Sequence, residues 1–125
     1  AVGKSAMEKI NLAEKLTLFS DHWSPKIVAS IDDYEVKLVK VQGDFVWHKH
    51  DDADEMFMVI SGALDMDYRD KRVTLLPGEL VVVPKGVEHK PHAENECEML
   101  LLERKGLVNT GDADVGELTA NVERI

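Results

Sequence analysis

The sequence predicts an all-β fold, an antiparallel sandwich or barrel. Apolar residues recur with period two through the middle of the chain, and turn signals interrupt them every 8–12 residues. No strand–helix alternation of the βαβ kind is visible. Taken in order, Ala1 to Ala6 are small and featureless, so a disordered leader is expected, ending by about residue 10. A single domain over 11–125 follows. Asn11 with Glu14 matches a capping box, and Leu12, Leu16 and Phe19 share one helical stripe, predicting a short helix over 12–19. Ser20 to Pro25 reads as a loop. From Ile27 the period is two: Tyr34, Val36 and Leu38 alternate with Glu35 and Lys37, and Leu64, Met66 and Tyr68 alternate with Asp65 and Asp67. Leu80–Val83 and Cys97–Leu102 are apolar runs. Turns are marked by Asp32-Asp33, Gly43, Ser61-Gly62, Arg69-Asp70-Lys71, Pro77-Gly78 and Lys85-Gly86. About eight strands fit between 27 and 103, enough for a small closed barrel or jelly roll. The polar tail, 104–125, has a turn at Asn109-Thr110-Gly111-Asp112 and is expected to wrap the outside of the barrel.

A chain of 125 residues is one domain's worth of sequence. Fifteen Lys and Arg against 24 Asp and Glu give a net charge of −9. Such a surface repels phosphates, which argues against nucleic acid and anionic membranes as partners. The longest apolar runs are a handful of residues, where a bilayer span needs about 20. With no signal peptide visible and a single cysteine, Cys97, a cytoplasmic protein is expected.

The chemistry sits in Trp47-His48-Lys49-His50-Asp51-Asp52-Ala53-Asp54-Glu55. Residues two apart on a strand share a face, so His48 and His50 would present their imidazoles side by side. Glu55 would open the next strand and return to the same point, and His89 would join from a third strand after Pro84-Lys85-Gly86. Three imidazoles and a carboxylate would hold one divalent transition metal and leave two octahedral positions open. That donor set permits Fe, Mn, Ni, Zn, Co or Cu. A His-x-His alone is more often a pair of solvated histidines on a surface strand; the joint pattern carries the reading.

Gly43, His48-x-His50, Glu55 after four residues and Gly62 after six more resemble the first motif of the cupins. Gly78, five residues, Pro84-x-Gly86, two residues and His89 resemble their second motif. The match is to small single-domain cupins of the conserved-barrel type, a group often labelled as similar to mannose-6-phosphate isomerase or RmlC. Four residues rather than the usual five separate Gly43 from His48, and Ala93 stands where the second motif usually ends in asparagine. The resemblance implies a double-stranded β-helix jelly roll, frequently dimeric, and ligand roles for His48, His50, Glu55 and His89.

Strand parity sorts the remaining candidates. Val46, Phe57, Val59 and Val87, with Pro91, are in phase with the ligands and would line an apolar pocket. His92 has the opposite parity to His89 and would face away. His22 sits in a loop, and Asp51, Asp52 and Asp54 read as a solvated acidic loop. Cys97 has no neighbouring base or cation and reads as a buried structural thiol. Met56 to Ile60 is apolar on both faces; one face would need a cover, and a second subunit, giving a homodimer, is the expected one. Lys49 and Lys90 are out of phase and Lys85 lies in a turn, so no cation awaits a sugar phosphate. The expected ligand is a small, largely apolar molecule reaching the metal through one or two oxygens. Metal-dependent dioxygenase is the first enzymatic expectation, with Glu55 as a fixed ligand or a base; isomerase, lyase and a non-catalytic binding module are the alternatives.

Overall fold

The computed structural model describes residues 7–113, 116 and 118–125. The expected leader over 1–6 lies outside the described residues. Among the described residues, one short helix, α1 (Leu12–Leu16), precedes eight strands. These are β1 (Lys26–Ile31), β2 (Tyr34–Asp44), β3 (Glu55–Ser61), β4 (Leu64–Tyr68), β5 (Arg72–Leu75), β6 (Leu80–Val83), β7 (His89–Arg104) and β8 (Glu123–Arg124). The fold is the all-β jelly roll that the sequence predicts. No helix among the described residues is long and apolar enough to cross a membrane.

The helix is shorter than the predicted 12–19. Its start is as expected, with the Asn11 side chain accepting from the Glu14 N–H at 3.1 Å. Its end is set by Thr17, whose hydroxyl donates to the Glu14 carbonyl at 2.6 Å while its own N–H takes the same acceptor. That doubled claim on one carbonyl ends the helical ladder early. Phe19 still packs with Leu16, Val28 and Leu38, and so does Ile10, ahead of the helix.

Strand β7 organises the barrel. It pairs antiparallel with β4 through His89–His92, with β2 over most of its length, and with β3 through Glu98–Glu103. Opposite Val41 and Gly43 the register jumps from Cys97 to Ala93, so Glu94, Asn95 and Glu96 bulge into solvent. The bulge bends β7 and lets its two halves serve different partners. Seven strands span residues 26–104 where about eight are expected: the segment of His48 and His50 is not a regular strand, and the two segments flanking the bulge form a single one.

Alternation along β2 divides two apolar layers. Val39 and Val41 face the barrel interior with Phe57, Val59, Leu64, Met66, Cys97 and Met99. Val36 and Leu38 face outward to α1. Burial of each such aliphatic side chain is worth roughly 1.5–3 kcal/mol. Cys97 is fully buried, and burial pushes its thiol up to about 12, as a structural thiol requires. On β3, Met56, Met58 and Ile60 point outward and are half-buried; Ile60 reaches the layer under α1. Val82 and Leu80 of β6, paired with Met56 and Met58, stay half-exposed.

Two glycines test the backbone reading. Gly62 and Gly78 both have φ of +83°, but a Cβ at 62 would meet the Glu96 carbonyl at 2.7 Å, whereas one at 78 meets nothing within 4 Å. G78A is expected to cost about 1 kcal/mol, the conformational term alone. G62A adds a backbone collision and is expected to cost about 1–3 kcal/mol more. Urea unfolding of both variants checks the difference, and equal losses would contradict it.

Candidate metal centre

The four predicted ligands do converge. One ligand atom from each of His48, His50, Glu55 and His89 lies within 4.8 Å of the others, and all four residues are buried. His48 and His50 do not sit on a regular strand as predicted, because 45–54 forms only an isolated bridge. That bridge is enough. His48 N–H donates to His89 O at 3.0 Å and His89 N–H donates to His48 O at 2.9 Å. The exchange sets the two imidazoles 4.2 Å apart, centre to centre. His50 is held through its carbonyl, which accepts from the Gly86 N–H at 2.8 Å. Glu55 opens β3, and His89 opens β7, as expected.

Backbone carbonyls orient two of the rings. Nδ1 of His48 donates to Val46 O, and Nδ1 of His89 donates to Val87 O, both at 2.9 Å. A carbonyl only accepts, so each Nδ1 carries the proton and each Nε2 keeps a lone pair. Glu55 Oε1 lies 3.4 Å from His50 Nε2 and 3.5 Å from His89 Nε2. None of these three buried atoms has a hydrogen-bond partner. Ligands about 2.1 Å from one ion sit roughly 3.0–3.4 Å apart, close to the spacing found here. The residues therefore fit a divalent cation: His48 and His89 keep lone pairs on Nε2, the buried atoms of His50, Glu55 and His89 have no partner, and all four residues face one another.

The electrostatics agree. Burial, then the neighbouring His89, pushes His48 down to about 4, so its ring is neutral at pH 7. Burial alone would raise Glu55, but contacts with Glu103, His50 and His89 outweigh it and hold the carboxyl below the usual range. Glu103 takes the opposite shift. Burial and then Glu55 push it well above the carboxylate range, against the pull of Lys37. Two touching carboxyls cannot both be charged cheaply, and Glu55 is the one left anionic.

A small cavity adjoins the ligands. It offers about 40 Å³ to the centres of water molecules, where one enclosed water needs roughly 10–15 Å³. Phe57 and Pro91 line it. Val46 does not; the 45–54 segment departs from strand parity, and Phe45 takes its place while Val46 supplies its carbonyl to His48. Val59 is buried in the core beyond the cavity, and Val87 lines a separate outer groove. Trp23 was missed as a wall residue. It stacks on Phe45 at 4.7 Å and its indole donates to Gln42 O at 3.0 Å. Its φ of +59° is unusual for a tryptophan, and only the fold reveals it.

Glu103 and Lys37 were missed too. Glu103 lines the cavity, and Lys37 Nζ donates to its Oε1 at 2.7 Å. A cation thus stands near the cavity after all, but it is already paired. His92 faces away as predicted, bonded to Asp44 at 2.8 Å, and His22 pairs with Glu96 at 2.7 Å, off the site. Asp51, Asp52 and Asp54 are exposed; Asp51 pairs with Lys49 and Asp54 accepts from the Lys85 N–H. The described part of the tail packs against the ligand segment. Asp112 accepts from the Lys49 N–H at 2.7 Å, and Asn109, which lines the cavity, donates to Trp23 O at 3.1 Å.

His48 makes metal-free stability pH-dependent. Its folded pKa is about 4 against an ordinary 6.5, so the unfolded chain binds the proton more readily. The stability is complete above about 6.5 and is lost as pH falls through 4, and the His48 share at pH 4.5 is on the order of 2–3 kcal/mol. Urea unfolding with chelator at pH 7 and 4.5 should show a smaller pH loss for H48Q than for the parent protein. Equal losses would contradict the assignment.

The cupin domain family matches residues 35–103. A cupin-2 domain containing protein from Shewanella frigidimarina is 48% identical, with a TM-score of 0.78, covering 81% of this chain and 99% of its own. NMB1881 from Neisseria meningitidis is 35% identical, with a TM-score of 0.72, covering 78% of this chain and all of its own. The uncharacterized protein YdbB of Bacillus subtilis is 32% identical over 79 residues, 62% of this chain and 70% of YdbB. Two motifs, the jelly roll and the convergent His-His-Glu-His cluster meet in one conclusion: the chain belongs to the cupin family.

Proposed function

We propose that the protein is a mononuclear metal-dependent cupin acting on a small organic ligand, with dioxygenase chemistry as its first enzymatic reading. The observation that carries it is the set of buried, unpartnered acceptor atoms on His50, Glu55 and His89, joined by His48. When bound, a divalent ion there supplies Lewis acidity and, if iron or manganese, redox capacity toward dioxygen. The chain's own residues do the rest. The Val46 and Val87 carbonyls hold two ligand rings in place. Trp23, Phe45 and Phe57 exclude water and accept the apolar body of a ligand. Glu55 serves as a fixed ligand, or takes a proton at its carboxylate if it leaves the ion. The paired state of Lys37 disfavours sugar phosphates, which need an uncommitted cation.

Elemental analysis of untagged protein purified without chelator tests this. About one equivalent of transition metal per chain is expected, falling below roughly a tenth in H50A and H89A with thermal unfolding still cooperative, since a lost ligand abolishes the donor set rather than the fold. Metal-free protein that takes up no added iron, manganese, cobalt or zinc would overturn the reading. Oxygen uptake by loaded protein with small hydroxylated or aromatic compounds then separates dioxygenase from isomerase, lyase or binding module.

We also propose a homodimer through the outward face of β3 and β6. Met56, Met58, Leu80 and Val82 form two adjacent cross-strand apolar pairs there, a strip that a second copy of the chain would cover isologously. M58D should give a monomer by light scattering where the parent gives a dimer, and a monomeric parent would contradict this.

A further inference from the structure

Lys49, the residue between two of the four ligands, is held in a way that the donor set alone does not explain. Its N–H donates to Asp112 Oδ1 at 2.7 Å, and its carbonyl accepts from the Asp112 N–H at 3.1 Å. Both partners belong to one residue of the tail, 63 positions away in the chain. The Lys49 N–H lies in the peptide plane shared with His48, and the Lys49 carbonyl in the plane shared with His50. Holding both planes fixes the φ and ψ of Lys49, the two soft dihedrals between them. Those angles govern how the two imidazoles stand to one another, 5.4 Å apart centre to centre. His48 is bridged to His89 and His50 to Gly86, so three consecutive residues are gripped by three different parts of the fold. Satisfying polar groups is not the reason for the middle grip. Asp112 is exposed and Lys49 half-buried, where water would serve as well. Gly111 shows how closely the tail is fitted: at φ +57°, it lies where a Cβ would run into the Lys49 carbonyl and the His48 ring. The tail is itself tied down just before this point, because the Asn109 amide donates to Trp23 O and Leu118 O and accepts from the Ala120 N–H.

We propose that Asp112 is a positioning residue for the metal centre: by holding both backbone groups of Lys49, it presets the His48–His50 pair before an ion arrives. This rests on the metal reading above. Asp112 supplies no ligand atom itself. Its acceptor oxygen and its backbone N–H make the hold, and its charge does not, so an amide oxygen at the same place would serve. The Lys49 side chain is not part of the hold, since its Nζ pairs with Asp51 at 3.1 Å. Without Asp112 Oδ1 the peptide between His48 and Lys49 is free to turn, and an ion has to order it on binding. The donor set is then complete but the affinity is lower, as when an outer partner of a ligand is lost.

The test measures cobalt(II) affinity by competition with a chelator, together with the visible absorption bands of the cobalt-saturated protein. D112A is expected to bind cobalt about tenfold more weakly than the parent, the cost of ordering one residue's backbone at the moment of binding, and its bands at saturation should shift. D112N keeps an acceptor oxygen for the Lys49 N–H, so it should bind within about threefold of the parent and show the parent's bands. D112A as tight as the parent would overturn the proposal. So would D112N as weak as D112A, which would assign the effect to charge. Amide exchange in the metal-free parent gives a second readout that does not depend on any variant folding. There the Lys49 amide should exchange at least about tenfold more slowly than an unstructured amide, and an unprotected Lys49 amide would overturn the hold while leaving the four-ligand site intact. Failure of the parent to take up cobalt would instead overturn the metal reading, and this one with it.

Discussion

Buried ligand atoms with no hydrogen-bond partner face one another at the centre of this barrel, and the rest of the site is arranged around that fact. The Nε2 lone pairs of His48 and His89 are fixed by what their Nδ1 atoms do, since each donates to a carbonyl two residues back in the chain. Glu55 adds a carboxylate oxygen 3.5 Å from His89 Nε2. Lone pairs in such a cluster repel, and burial removes the water that would otherwise separate them. A divalent cation at the centre would relieve all of them at once. The carbonyl contacts therefore act beyond orientation: they prevent the rings from flipping a proton into the cluster and satisfying it locally.

The scaffold holds this unfavourable arrangement by distributing the ligands over three separately anchored pieces. Glu55 and His89 begin strands whose registers are fixed by long ladders against β6 and β7, or β4 and β2. His48 and His50 lie in a segment with almost no sheet pairing of its own. A two-bond bridge to His89 holds it from one side and the tail from the other. Gly111 is part of that second grip, because a Cβ there would run into the Lys49 carbonyl and the His48 ring. The tail is thus as much a part of the site as the strands are.

Much of this was legible in the sequence. His48, His50, Glu55 and His89 stand at spacings that two sequence motifs make specific, and the turn glycines mark most strand ends. What escaped has identifiable causes. Lys37 and Glu103 were invisible because a charged residue alternating with apolar ones reads as the solvent side of a strand. On β2 and β7 both faces are covered, so the charged position is interior. Val46 was misplaced because parity presumes a strand, and 45–54 is not one. Trp23 reaches the cavity through a left-handed backbone turn that no apolar period announces. The extent of α1 depended on one threonine hydroxyl competing for a carbonyl, a local effect weaker than the stripe that extends to Phe19.

The reach of β7 also bears on the order in which the molecule can be assembled. This one strand supplies the neighbour for β2, β3 and β4, and its first residue is the last of the four ligands in the chain. Until residues 89–104 have emerged during synthesis, β2 and β3 lack their shared partner, and His48 has nothing to bridge to. Closure through contacts so distant in sequence is intrinsically slow. During that interval an acidic segment with two histidines is available to any passing ion in an open, unselective form. The full donor set exists only once the barrel has closed, so any metal the site holds would be selected at the final step of folding rather than at first encounter.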